Sequence, residues 1–205
     1  MTPTSVVLLF CLSALALGGC GGKLPDTRYY DLAPPDGAAK PGDATLVLEP
    51  LTTESAYDDE RIVYRQTPYR LDYYQYHRWS SVPGTLIGNY LETALEHTGQ
   101  FGAVVRNATS DATVSLSGRV VAIEEIDDSK TKWHGHLVLE LTLTDVISGK
   151  TLWTKQFEEN VPLDRQSPEG LARAMTVAMN RIVHEASPQI AEIAAKQKTV
   201  VATQR

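Results

Sequence analysis

The sequence predicts an α+β fold in two layers, a mostly antiparallel sheet with two main helices packed against it. One observation is a series of six to eight short runs rich in β-branched and aromatic residues, punctuated by Pro, Gly, Asn and Asp. The other is a pair of stretches whose apolar residues recur at helical spacing, one mid-chain and one near the end.

Arg28-Tyr29-Tyr30-Asp31-Leu32 has the aromatic content of a first strand. Thr45 to Leu51 is a second, ended near Pro50, and Arg61 to Arg65 a third, with an acidic loop from Glu54 to Glu60 between them. Tyr69 to Tyr76 alternates Tyr69, Leu71 and Tyr73 with Arg70, Asp72, Tyr74 and Tyr76, as a strand paired with the preceding one does. Pro83-Gly84 opens a helix with a stripe of Leu86, Ile87, Tyr90, Leu91, Ala94 and Leu95, and Gly99 stands where a left-handed C-cap belongs. Phe101 to Val105 is a short strand, and Thr113 to Ile123 a longer one with a bulge signalled near Gly118. His136 to Ile147 has the clearest alternation, Leu137, Leu139, Leu141 and Leu143 inward against His136, Glu140, Thr142 and Thr144 outward. Ser148-Gly149 turns it into a hairpin with Leu152 to Asn160. Ser167-Pro168 caps the second helix, striped by Leu171, Ala174, Met175, Ala178, Ile182 and Val183. Ser187-Pro188 should interrupt it, and the tail from Gln197 should be loose.

Before the first strand, Val6 to Leu17 is an uncharged apolar run of twelve residues, too short for the ~20 that span a bilayer. It ends in Leu17-Gly18-Gly19-Cys20, which looks like a bacterial lipobox. Cleavage before Cys20 would leave acyl chains such as palmitate on that cysteine as a membrane anchor. Met1 to Ser5 lacks the Lys or Arg that usually opens such a leader, its one departure from the pattern. The expected organisation is therefore a signal peptide over 1–19, a lipidated tether over 20–27, one domain over 28–197 and a tail over 198–205. Cys11 leaves with the leader and Cys20 is acylated, so the mature 186 residues hold no disulfide and must rely on their own core. The formal charge of −6, from 19 Lys and Arg against 25 Asp and Glu, argues against nucleic acid and against polybasic lipid attachment.

No nucleophile elbow, phosphate loop or zinc-helix motif occurs in the sequence, so it reads as a non-enzyme with no catalytic residues and no cofactor. His134-Gly135-His136 with Glu140 has the makings of a zinc triplet, but no second ligand cluster accompanies it, and the expectation is a solvated face and no metal. Six of the nine tyrosines fall between Tyr57 and Tyr76, interleaved with Arg61, Arg65, Arg70 and Arg78 and closed by Trp79. Tyr64, Tyr69 and Tyr73 are expected to pack between sheet and helix. Arg61, Arg65, Arg78 and Trp79 are the candidate partner-binding residues, since Tyr, Trp and Arg dominate interface hot spots.

In order along the chain, the lipobox, Arg28 to Leu32, Arg61 to Arg65, His77-Arg78-Trp79, Gly99-Gln100-Phe101, Leu152-Trp153 and the closing helix resemble the ABC-type transport auxiliary lipoproteins, the PqiC/YmbA group. The resemblance spans nearly the whole mature chain. It implies an outer-membrane lipoprotein facing the periplasm, an accessory in lipid transport or envelope integrity. Its implied partners are an MCE-type (mammalian cell entry) periplasmic protein and that protein's inner-membrane partner, and a homo-oligomer is compatible with it. Gly21 and Gly22 lack the aspartate that would retain such a lipoprotein at the inner membrane. The alternative is a lipid-carrying or outer-membrane assembly lipoprotein with an internal acyl-chain cavity.

Overall fold

The computed structural model describes residues 24–35, 37, 42–110 and 112–203, with side chains as far as 199. Cys20, the leader and the end of the tail lie outside these residues. The strands are β1 (Arg28–Tyr30), β2 (Ala44–Leu48), β3 (Thr52–Thr53), β4 (Arg61–Thr67), β5 (Arg70–Trp79), β6 (Phe101–Val105), β7 (Val114–Ser129), β8 (Lys132–Asp145) and β9 (Thr151–Pro162). Among the described residues the helices are α1 (Pro83–His97) and α2 (Pro168–Thr203), with a 3-10 turn at Ser55–Tyr57.

The fold is α+β, and its spine is the long antiparallel hairpin β7–β8, extended by β9. At 16 residues β7 is far longer than β2, β3 and β4, which share its other edge in series. Leu46 pairs with Val114, Thr52 with Arg119 and Val63 with Glu124, all parallel. β6 extends β2, while β5 and then β1 extend β4. The sheet is therefore mixed rather than mostly antiparallel, because the β1–β5 and β2–β6 pairings are parallel too. Alternation fixes which face a residue occupies but carries no information on strand direction.

The helix side of β8 is the predicted leucine stripe, with Leu137, Leu139, Leu141 and Leu143 completely buried. They share one core with Leu171, Met175, Ala178, Met179 and Ile182 of α2 and with Leu91 and Leu95 of α1. Gly135 lets α2 approach, since a Cβ there would lie 2.5 Å from the Met175 methyl carbon. The bulge expected near Gly118 is present as a register shift between Val120 and Ala122. Gly99 ends α1 with φ of +68°, the left-handed geometry predicted for it, and Ser167 Oγ accepts the Gly170 N–H at 3.1 Å to start α2.

Three expectations are corrected. α2 is not interrupted at Ser187-Pro188, nor is the segment after Gln197 loose, for the helix runs on to Thr203. A helix-interior proline costs about 3 kcal/mol, but beyond it Ile190 and Ala194 are wholly buried, and full burial of an Ile alone contributes about 1.5–3 kcal/mol. Gln197 also donates to Asp145, and Lys198 Nζ to the Asp43 carbonyl at 2.9 Å. The tyrosines are the third correction. Tyr69 sits in the β4–β5 turn at 95% exposure, and Tyr73 lies on the face away from the helices, donating to the Ala56 carbonyl at 3.2 Å. Of the three only Tyr64 lies on the helix side, half-buried, its ring 5.0 Å from that of Tyr74. Leu71 and Tyr73 do alternate with Asp72 and Tyr74, but it is Asp72 and Tyr74 that share the helix side with Tyr64; the irregularity comes after Tyr73, where β5 advances five residues to Arg78 while β4 moves only from Val63 to Arg61. Strict alternation does not survive such a bulge.

Candidate docking face and the carboxylates beneath it

Arg61 and Arg78 stand directly opposite each other in the β4–β5 ladder, and like charges so placed repel. Asp59 relieves them. Its carboxylate accepts from the Arg61 backbone N–H at 2.7 Å and from Nε at 3.0 Å, pairs with Arg61 Nη2 at 3.0 Å, and lies 3.9 Å from Arg78 Nη1. Those hydrogen bonds from Arg61 hold the Asp59 carboxyl below its usual range. The Arg61 guanidinium also rests over Tyr73, 4.3 Å from the ring centroid. Tyr29 of β1, 62% exposed, is registered against Arg78. The outer face of β1, β5 and β4 thus presents Tyr29, Arg61, Tyr73 and Arg78, with Asp59 shared between the two arginines.

The other two candidates leave that face. Trp79 is 1% exposed, a core residue whose backbone N–H is held by the Glu60 carbonyl at 2.7 Å. The β5 bulge sends Arg78 outward and Trp79 inward, so an expected contact residue is packing instead. Arg65 turns back onto the sheet, its Nε and Nη2 both 3.2 Å from Glu124 Oε2 and its Nη1 donating to the Pro68 carbonyl at 2.9 Å.

Glu124 is the centre of a buried network that sequence reasoning missed. Tyr57 donates to Oε2 at 2.9 Å, and His136, its cross-strand neighbour, contacts Oε1 through Nδ1 at 3.2 Å and Glu158 through Nε2 at 3.1 Å. Burial alone would raise the Glu124 carboxyl, yet bonds from His136 and Tyr57 and the Arg65 charge hold it below its usual value. The bond to Glu124 raises the His136 imidazole, burial opposing it. Burial first, then Glu124, pushes Tyr57 up to about 12. His134 turns instead to Asp128 at 2.9 Å and Glu140 lies 3.8 Å from Arg119, so the members of the His134, His136, Glu140 triplet face different partners. His136 is half-buried in this network rather than solvated. Arg65 and the 3-10 turn are thereby clamped onto the outer side of β7.

The next residue, Glu125, points to the helix side and has no exposed surface. Tyr74 donates to its Oε1 at 2.7 Å, whereas Oε2 has no donor, nor has Oδ1 of Asp127 two residues on. Two acceptor oxygens can bond each other only when one carboxyl keeps its proton. Burial pushes Glu125 up to about 7, the Tyr74 bond opposing and Asp127 adding to the rise. Two consecutive acids in a long strand were the available signal, since one must lie on each face. Elsewhere, an open groove of about 610 Å³ at the free end of the β7–β8 hairpin is lined by Trp133, Pro162 and Leu163 together with Lys132, His134 and Gln166.

Solved structures share this architecture. A Xanthomonas campestris protein of the DUF330 family is 17% identical with a TM-score of 0.71, over 84% of this chain and 99% of that one. An uncharacterized protein is 15% identical with a TM-score of 0.67, over 81% and 99%. At these identities the likeness is one of fold. Residues 30–187 match the family model of the ABC-type transport auxiliary lipoprotein component, and the chain belongs to that family. No curated protein matches it.

Proposed function

We propose that this auxiliary lipoprotein is a docking component, held by acylated Cys20 at the periplasmic face of the outer membrane and engaging an MCE-type periplasmic protein and its inner-membrane partner through Tyr29, Arg61, Tyr73 and Arg78. The observation that carries the reading is this face, with two arginines sharing one carboxylate on a protein of net charge −6. Such a surface complements an acidic, aromatic-accepting partner. Tethering supplies the rest of the mechanism, because confinement near the membrane makes a modest intrinsic affinity sufficient. The helix layer supports docking over carriage of an acyl chain, since the β8 leucines and Met175 and Met179 are all completely buried in one shared core. The test is capture of the native partner from solubilised membranes by the wild-type chain and by an Arg61→Ala, Arg78→Ala double variant. The double variant should fold and lose capture. Undiminished capture would refute this face, and stoichiometric phospholipid on the delipidated domain would favour the carrier.

A further inference from the structure

The hairpin end of the sheet gathers several turns. β4 runs parallel to β7, so the Pro68-Tyr69 turn lies beside the tip at Ser129–Lys132, and Gln66 Nε2 is 3.4 Å from Asp127 Oδ2. β9 ends there as well, with Pro162 opposite His134, and Leu163 donating to the Trp133 carbonyl at 2.9 Å. Gln166 Nε2 donates to the Lys130 carbonyl at 3.0 Å. This end carries the fully exposed Tyr69, the groove lined by Trp133, Pro162 and Leu163, and the exposed Lys130 and Lys132. Its Asp128 is paired with His134 and its Arg70 with Asp72.

The tether comes from the same direction. β1 is parallel to β5, which runs away from the tip, so the chain enters β1 from the tip side, and Leu24 on that approach is 76% exposed. Arg28 is level with His77, and from there back to Arg70 is under about 20 Å, because the bulged β5 covers Arg78 to Arg70 over the steps from Arg61 to Thr67 of β4. From Cys20 to Arg28 the chain can span at most about 28 Å. An anchor on Cys20 therefore reaches the level of the tip and about one or two further residues beyond it.

We propose that the hairpin end, with Tyr69, Trp133, Leu163, Lys130 and Lys132, rests on the surface of the bilayer that holds the lipid anchor. This rests on the reading of Cys20 as acylated. Amphipathic aromatic rings settle at headgroup level, and lysines there attract anionic phospholipid. The Ser148-Gly149 turn, about 45 Å away along β8, then points off the membrane.

The test uses the full acylated chain reconstituted in vesicles of phosphatidylethanolamine and phosphatidylglycerol carrying brominated acyl chains. Trp153→Phe leaves Trp133 at the tip, Trp133→Phe leaves Trp153 toward the far end, and both retain buried Trp79. Emission should be quenched in the first and not in the second. A solvatochromic label at Lys130→Cys should shift to the blue on reconstitution while one at Lys150→Cys does not, the same comparison without touching a tryptophan. A chain that floats with the vesicles but shows no quenching of Trp133, or equal responses at both ends, overturns the orientation. A chain that does not float overturns the anchor and the orientation with it.

Discussion

Glu125→Gln should stabilise the protein, and only at the upper end of the pH range. The carboxyl has no exposed surface and is pushed from 4.5 to about 7. Because its folded value is raised, the folded state binds the proton more tightly than the unfolded state. Its cost to stability is therefore absent below about 4.5, grows as pH rises and is complete above about 7. At 1.36 kcal/mol per unit, the full cost is on the order of 3 kcal/mol, an upper bound because the half-exposed Asp127 shares the proton. Glutamine keeps the shape, still accepts from Tyr74 and offers an N–H toward Asp127. Urea unfolding of both proteins between about pH 5 and pH 8 should give equal stability at the acid end and a variant more stable by up to about 3 kcal/mol at the alkaline end. Titration of His136 is common to both chains and drops out of the difference. A variant equally destabilised at every pH, or a difference that does not change with pH, would refute the shared proton.

Arg65→Ala should cost about 2–4 kcal/mol by stranding buried Glu124, discounted because His136 and Tyr57 remain, whereas Arg61→Ala should stay within about 0.5 kcal/mol; equal melting temperatures would show that Arg65 is not a clamp. Trp79→Ala should cost about 3–5 kcal/mol as a core truncation and reduce partner capture only in proportion to the protein unfolded; capture lost with melting unchanged would return Trp79 to the interface. Cys20→Ala should leave the circular dichroism and melting of the domain unchanged and remove it from the membrane fraction, and its persistence there after a salt wash would count against acylation.

The parts of the fold legible in sequence are those set by local rules. β8 shows a two-residue alternation that survives because both of its neighbours pair with it almost without interruption. Gly99 and Ser167 were legible because cap chemistry is local. The facing of Trp79 is not legible because the bulge between Tyr73 and Arg78 changes face without leaving a mark in composition, and that of Tyr73 because alternation does not say which of its two faces meets the helices. Continuation of α2 past Pro188 depends on Ile190 and Ala194 finding the core, a tertiary gain that outweighs a local penalty. Of the candidate docking face, Arg61 and Arg78 were legible as residue types, but their sharing of Asp59 needs the β4–β5 register. The Glu124-Glu125 pair is a signal in the sequence, but the network around Glu124 is not legible there, because it requires residues as distant as Tyr57 and His136 to close over one strand.

The sharing of β7 among three shorter strands also sets an order of events for a chain that emerges N-terminus first. β2, β3 and β4 are complete by Thr67, yet the edge that pairs all three is not present until Val114 to Ser129. Until then only the β4–β5, β1–β5 and β2–β6 pairings can close, and β3 and the β7-facing edges of β2 and β4 wait with their backbone groups unpaired. Loop-closure entropy makes such non-local pairings slow, and waiting strand edges are open to wrong partners. A protein built this way commits to its structure only when the spine arrives, and its earlier edges must stay clear of wrong partners until then.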